Sequence, residues 1–186
     1  MRKGNDKMDE TYLHDFYRWY GKKKRTWKEW FGQPLQLKFM YYFRKCQKRG
    51  VLYPYYRMRL KQLAEITAID MPPCVKVGRG FYIMHLGGIV INGSCEIGEY
   101  VNINSGAVIG AEVRGKRCGI PKVGSYVYIG KNAAIVGKVT IGDDVLIAPN
   151  AYVNFDVPSH SIVIGNPGRI IPRENATEGY IYNVLK

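Results

Sequence analysis

The sequence predicts a mainly β protein, a parallel β-helix built from six-residue repeats, with a small α-helical region ahead of it. Three observations lead there. From residue 91 an aliphatic residue recurs every six positions: Ile91, Ile97, Ile103 and Ile109, then Val123, Ile129, Ile135, Ile141, Ile147 and Val153. Four residues after each anchor stands a small or β-branched one: Cys95, Val101, Ala107, Val113, Val127, Ala133, Val139, Val145, Ala151 and Val157. Between them Gly, Asn and Asp cluster at Gly98, Gly110, Gly124, Asn132, Gly142, Asp144 and Asn150, where corners call for tight or left-handed backbone.

Neither the 3.6-residue period of a helix nor the two-residue period of a strand explains a strict six. A six-residue unit is one short strand and one corner, and it cannot bury its apolar side alone. Stacking closes a continuous core, three units to a coil. Val77 and Ile83 extend the register backwards, and the eight residues from Ile83 to Ile91 put a two-residue bulge at Gly87 to Val90. Ile109 and Val123 lie fourteen residues apart where twelve would fit, so Ala111 to Gly119 is expected to leave the coil as a loop, with the excursion spanning about 111–121. The coil domain is drawn over 67–173 and a C-terminal tail over 174–186.

Residues 1–66 form a separate, basic and aromatic region. They carry 17 of the 28 Lys and Arg but 6 of the 15 acids, an excess of +11 against +2 for the rest. Three helical segments are expected: Tyr12, Phe16, Trp19 and Tyr20 share one face, as do Leu35, Phe39, Tyr42, Phe43 and Cys46, and later Tyr56, Leu60, Leu63 and Ala64. Pro34 and Pro54 suit helix first turns. Lys22, Lys23, Lys24 and Arg25 sit among Trp19, Tyr20, Trp27, Trp30 and Phe31. Such a mixture over 19–31 suits an anionic membrane surface, although a solvated helix packed on the coil is the simpler use of it. No nucleic-acid-binding module accompanies the charge.

The apolar runs, such as Ile83 to Ser94, are too short to span a bilayer. Met1 to Asp15 is polar and lacks the apolar core of a signal peptide. A cytoplasmic protein, docking at most at the inner face of the membrane, is the expectation. Cys46, Cys74, Cys95 and Cys118 form no CxxC pair, so neither zinc nor a disulfide framework is expected. His14 and His160 are assigned structural roles, and no metal is expected: a three-histidine zinc site would need ligands that the repeat region, with only His85 and His160, does not supply.

From Ile69 to Arg173 the chain resembles the hexapeptide-repeat acyltransferases, in their serine acetyltransferase branch and its relatives that acetylate sugars in capsule and exopolysaccharide synthesis. The matching residues run in order: Ile69-Asp70, Val77-Gly78-Arg79-Gly80, His85, Gly88-Ile89-Val90-Ile91, Pro121-Lys122-Val123-Gly124, and Asp156-Val157-Pro158-Ser159-His160 to Gly165-Asn166-Pro167-Gly168-Arg169. The resemblance implies a left-handed coil, a homotrimer with active sites between subunits, and acetyl-CoA as acetyl donor. It also implies His85 as general base, oriented by Asp70. A neutral imidazole suits the removal of an alcohol proton at cellular pH. Gly110, Ala111, Lys131 and Arg169 match the positions that hold coenzyme A, while Pro149 on that edge cannot donate an amide hydrogen bond.

Two departures concern the acceptor. Met84 stands where serine-specific relatives have an Asp, and Gly119-Ile120 where they have Arg-His. Those charged residues would grip a zwitterion. Their absence, with a helical region shorter than in the serine enzymes, favours a sugar or lipid-linked glycan hydroxyl as acceptor, with Met84, Gly119 and Ile120 lining its site. The alternatives are a serine O-acetyltransferase of cysteine biosynthesis and a β-helix without chemistry.

Overall fold

A computed structural model of the chain describes residues 9–185. The first eight residues of the basic region and of the segment read for a signal peptide lie outside it.

Four helices come first: α1 (Glu10–Tyr20), α2 (Trp27–Gly32), α3 (Leu35–Gln47) and α4 (Tyr53–Thr67). Three were expected. The extra one, α2, has six residues and is capped by Thr26 and Glu29, each side chain accepting the other's backbone N–H. That Thr-x-x-Glu spacing was present in the sequence, just after the basic run Lys22 to Arg25.

The coil follows. Its first turn holds β1 (Ile69–Asp70), β2 (Lys76–Val77) and β3 (Tyr82–Ile83); the second β4 (Ile89–Ile91), β5 (Glu96–Ile97) and β6 (Asn102–Ile103). The third holds β7 (Val108–Gly110), β8 (Lys122–Val123) and β9 (Val127–Ile129); the fourth β10 (Ala134–Val136), β11 (Thr140–Ile141) and β12 (Val145–Ile147). The last comprises β13 (Tyr152–Val153), β14 (Ser161–Ile164) and β15 (Arg169–Pro172), the final two an antiparallel pair. Strands stack in parallel into three faces: face A is β1-β4-β7-β10-β13, face B is β2-β5-β8-β11, and face C is β3-β6-β9-β12-β14 closed by β15. The protein is thus a parallel β-solenoid of about five turns, the fold class that the six-residue period predicts.

All ten anchors from Ile91 to Val153 are buried in one core that runs up into α3 and α4. Nine of the ten second positions are buried with them. Val113 is the exception, at 78% exposure. The pairing explains it: Ile97 sits opposite Val123 and Ile109 opposite Ile135, so Ile109 and Val123 occupy neighbouring faces of one turn. Only one six-residue step separates such faces, and the insertion is therefore eight residues rather than two. It forms a small hairpin closed by Glu112 and Gly119. The bulge at Gly87 and Gly88 falls where expected, both residues being left-handed.

The helical region is clamped to the first turn by buried polar groups. Asp15 Oδ2 accepts from Arg44 Nε at 2.8 Å, and Asp15 Oδ1 from Phe81 N at 2.9 Å. Arg44 donates further to the carbonyls of Val77 and Gly78. Arg18, fully buried, donates to Asn102 Oδ1 at 2.7 Å and lies near the Tyr82 and Tyr182 rings. The tail returns along face C: Tyr180 O accepts from Asn102 Nδ2, and Leu185 O from the Tyr100 hydroxyl.

Candidate active site

Helix α4 ends at Ala68, which is left-handed and closes the helix through its N–H to Ala64 O. Ile69 then turns into the core, and strand alternation points Asp70 outward on the first strand of face A. His85 follows β3, on the corner that leads from face C to face A. Gly87 N donates to Thr67 O at 3.1 Å and Ile89 N to Ala68 O at 3.2 Å, so this corner is stitched to the end of α4. Asp70 and His85 thereby flank the same end of face A, and both are exposed. Among the described residues no hydrogen bond joins them.

Two hollows open beside Asp70. One of about 370 Å³ lies under α4 and is lined by Arg57, Lys61, Asp70 and Pro72 among others. The other, about 340 Å³, is lined by Ala64, Glu65, Ala68, Asp70, Ile89 and Val90. A larger hollow of about 590 Å³ lies on face B along the ion ladder Lys76–Glu96–Lys122. It has no residue in common with the Asp70 end.

The other sequence-derived positions are spread along the coil. Gly110 and Ala111 stand at the A-to-B edge where the hairpin leaves, whereas Lys131 is on the C-to-A edge and Arg169 is exposed on β15. The hairpin runs toward later turns: Lys138 N donates to Arg117 O, and Arg117 pairs with Asp156 at 2.8 Å. Within one chain it therefore sits across face A from His85. Met84 packs against Tyr128, Leu146 and Ala176 beneath the tail, and Ile120 packs on the coil core beside Gly119.

His14 is buried with Nδ1 2.6 Å from the Tyr100 hydroxyl, and burial, helped by the charge of Arg79, holds its imidazole below the usual 6.5. His160 contacts Asp144 at 2.9 Å. Among the described residues no cluster of three or more His, Cys, Asp or Glu could hold a metal ion. No described helix is long and apolar enough to cross a membrane.

Residues 120–154 match the bacterial transferase hexapeptide family (six repeats). The fold is shared with the serine acetyltransferase of Brucella abortus strain S19, at a TM-score of 0.74 and 22% identity, over 90% of this chain and 70% of that one. The Neisseria gonorrhoeae serine acetyltransferase solved in complex with serine aligns with a TM-score of 0.70 at 23% identity, over 87% and 67% of the two chains. In sequence, the Helicobacter pylori (strain 26695) serine acetyltransferase is 39% identical over 118 residues, which is 62% of this chain and 68% of that protein. The chain belongs to the serine acetyltransferase family.

Membership makes it an acyltransferase and corrects one expectation. A sugar or glycan acceptor of the polysaccharide branch was inferred from Met84, Gly119 and Ile120, but the relatives found are serine acetyltransferases. The acceptor was inferred from residue type alone; in the fold Met84 packs beside Tyr128, Leu146 and Ala176, and Ile120 packs on the coil core. The hollows under α4 could not be foreseen. Arg57, Lys61 and Glu65 lie on a helix whose exposed face has no motif, and only its docking on β1 brings them beside Asp70.

Proposed function

We propose that this member of the family is an acetyl-CoA-dependent serine O-acetyltransferase in which His85 is the general base and Asp70 orients it. The observation that carries this reading is the 39% identity over 118 residues to the Helicobacter pylori serine acetyltransferase. The paired placement of Asp70 and His85 at one end of face A supports the roles. Acetyl-CoA supplies an activated acyl group as co-substrate. His85 takes the proton of the serine hydroxyl as its oxygen bonds to the acetyl carbon, and gives that proton to the departing sulfur, leaving O-acetylserine and coenzyme A. The thioester C–S bond is the one that breaks.

Serine needs partners for two charges, and the hollows beside Asp70 offer both. Arg57 and Lys61 face one of them, suited to a carboxylate, and Glu65 faces the other, suited to an ammonium group. Gly110 and Ala111 backbone, with Lys131 and Arg169, are the groups we assign to coenzyme A. They lie on both edges of face A, which fits a ligand held between two copies of the chain.

A homotrimer is part of the proposal. Outward residues of face B form ion pairs in water, and on face C the outward Tyr82, Asn102, Tyr128 and Leu146 are buried. Face A presents an apolar row of exposed and half-buried residues, Val90, Val108, Ala134 and Tyr152, in register below Asp70. Packing copies along face A would bring one chain's hairpin edge toward another's His85 edge.

The test is release of coenzyme A from acetyl-CoA with free serine as acceptor, measured beside an acceptor-free control and a panel of sugars. Serine-dependent release is expected. Release with sugars and none with serine would overturn the reading.

A further inference from the structure

We propose that the segment from Lys22 to Phe31 is a docking surface for an anionic lipid bilayer. Trp27 and Phe31 stand one turn apart on α2, with ring centroids 6.0 Å from each other, and are 71% and 68% exposed. Two large rings left in water cover nothing in this chain. They are nevertheless held firmly. The Thr26–Glu29 capping box closes the start of α2, Trp30 on its other side packs edge-on against Tyr41 at 4.7 Å, and the Arg25 guanidinium lies 4.0 Å over the Trp30 ring. One side of the short helix is thus an anchor and the other an offered face.

The charge around the pair has one sign. Lys22, Lys23, Lys24 and Lys28 are exposed beside it. Between Asp15 and Glu65 the sequence holds a single acid, Glu29, which is committed to Lys22 and to the helix cap. Aromatic rings ringed by lysines match the headgroup layer of a membrane, where rings sit at the interface and cations meet anionic phosphates. Rings that stand clear of the surface need no shaped pocket in lipid, whereas a protein partner would have to supply one. With no described helix able to cross the bilayer, the contact would be peripheral and reversible.

The full chain is tested by sedimentation with vesicles of phosphatidylcholine alone and of phosphatidylcholine mixed with phosphatidylglycerol. Binding is expected to the mixed vesicles at low salt and to disappear at near-molar salt. Replacing three lysines together (Lys23→Gln, Lys24→Gln, Lys28→Gln) should lower the partition coefficient by about a hundredfold. Trp27→Ala with Phe31→Ala should lower it by about tenfold or more. Coenzyme A release in solution should be unchanged in both variants. The proposal is overturned by a parent protein that stays in the supernatant with mixed vesicles at low salt, by equal binding to neutral vesicles, or by an aromatic-pair variant that sediments like the parent. Capture of an acidic protein without vesicle binding would also overturn it. Should either variant melt at lower temperature than the parent, quenching of the parent's tryptophan fluorescence by spin-labelled lipid decides, and absence of quenching sinks the idea.

Discussion

His160 Nδ1 lies 2.9 Å from Asp144 Oδ2, and the same carboxylate accepts hydrogen bonds from Ala176 N, Thr177 N and the Thr177 hydroxyl. One ion pair on a coil corner therefore fastens the start of the returning tail. Asp144 raises the His160 pKa above 6.5, with Glu174 and Asp143 adding to the effect. Burial works against ionising Asp144, but the hydrogen bonds from Thr177, His160 and Ala176 outweigh it and hold its carboxyl below 3.8.

The signs give the tail a pH window. The raised His160 stabilises the folded tail fully below pH 6.5 and loses that contribution as pH rises through its folded value. The depressed Asp144 contributes above 3.8 and loses it as pH falls. Protection of the Ala176 and Thr177 amides, measured against their intrinsic base-catalysed exchange rates, should be greatest between these limits and fall on the alkaline side. His160→Gln should abolish the alkaline fall in protection, and an unaltered protection profile would show that the pair does not fasten this segment.

Removing the proposed base is expected to cut turnover by about 10² to 10⁴ in His85→Ala. Asp70→Asn should lower kcat by at least about tenfold while leaving KM for acetyl-CoA in place, and should move the pH profile of kcat. Steady-state kinetics across pH check both. Parental turnover in His85→Ala removes the assignment.

Asp15→Asn should destabilise the protein by about 3–5 kcal/mol, because it strands a buried Arg44 beside the first turn. The exposed Arg79–Glu99 pair is the control: Glu99→Gln should cost under about 1 kcal/mol. Denaturant midpoints for the two variants should differ accordingly.

Val101 and Val113 occupy the same register position in the sequence and opposite environments in the fold, 0% and 78% exposed. Val101→Thr should cost about 1–3 kcal/mol through its buried hydroxyl, and Val113→Thr should stay within about 0.5 kcal/mol. Equal thermal shifts would contradict the placement of the hairpin.

Part of the candidate site was legible in the sequence. Asp70 and His85 sit inside a recognisable run of motif residues, and the Gly87–Gly88 bulge is a simple count. The corner residues were legible only in part: Asn132, Asp144 and Asn150 obey the expected composition, but Tyr100 and Tyr126 also adopt left-handed backbone. Their rings stack at 5.3 Å, a contact between turns that no local composition rule contains. The excursion was expected over Ala111 to Gly119 and its hairpin is closed by Glu112 and Gly119, but the surplus in the register was counted as two rather than eight because counting cannot tell which face a residue after an insertion rejoins.

A six-beat aliphatic pattern was enough to specify stacked coils, the inward side chains and the division from a basic helical region, since each depends on neighbours a few positions apart. Long-range packing set the rest: the face that the chain rejoins after the excursion, the burial of Tyr82, Asn102, Tyr128 and Leu146 on face C, the neighbours of Met84 and Ile120, and the delivery of Arg57, Lys61 and Glu65 to Asp70. These depend on which distant segments meet, and a repeat records only its own spacing.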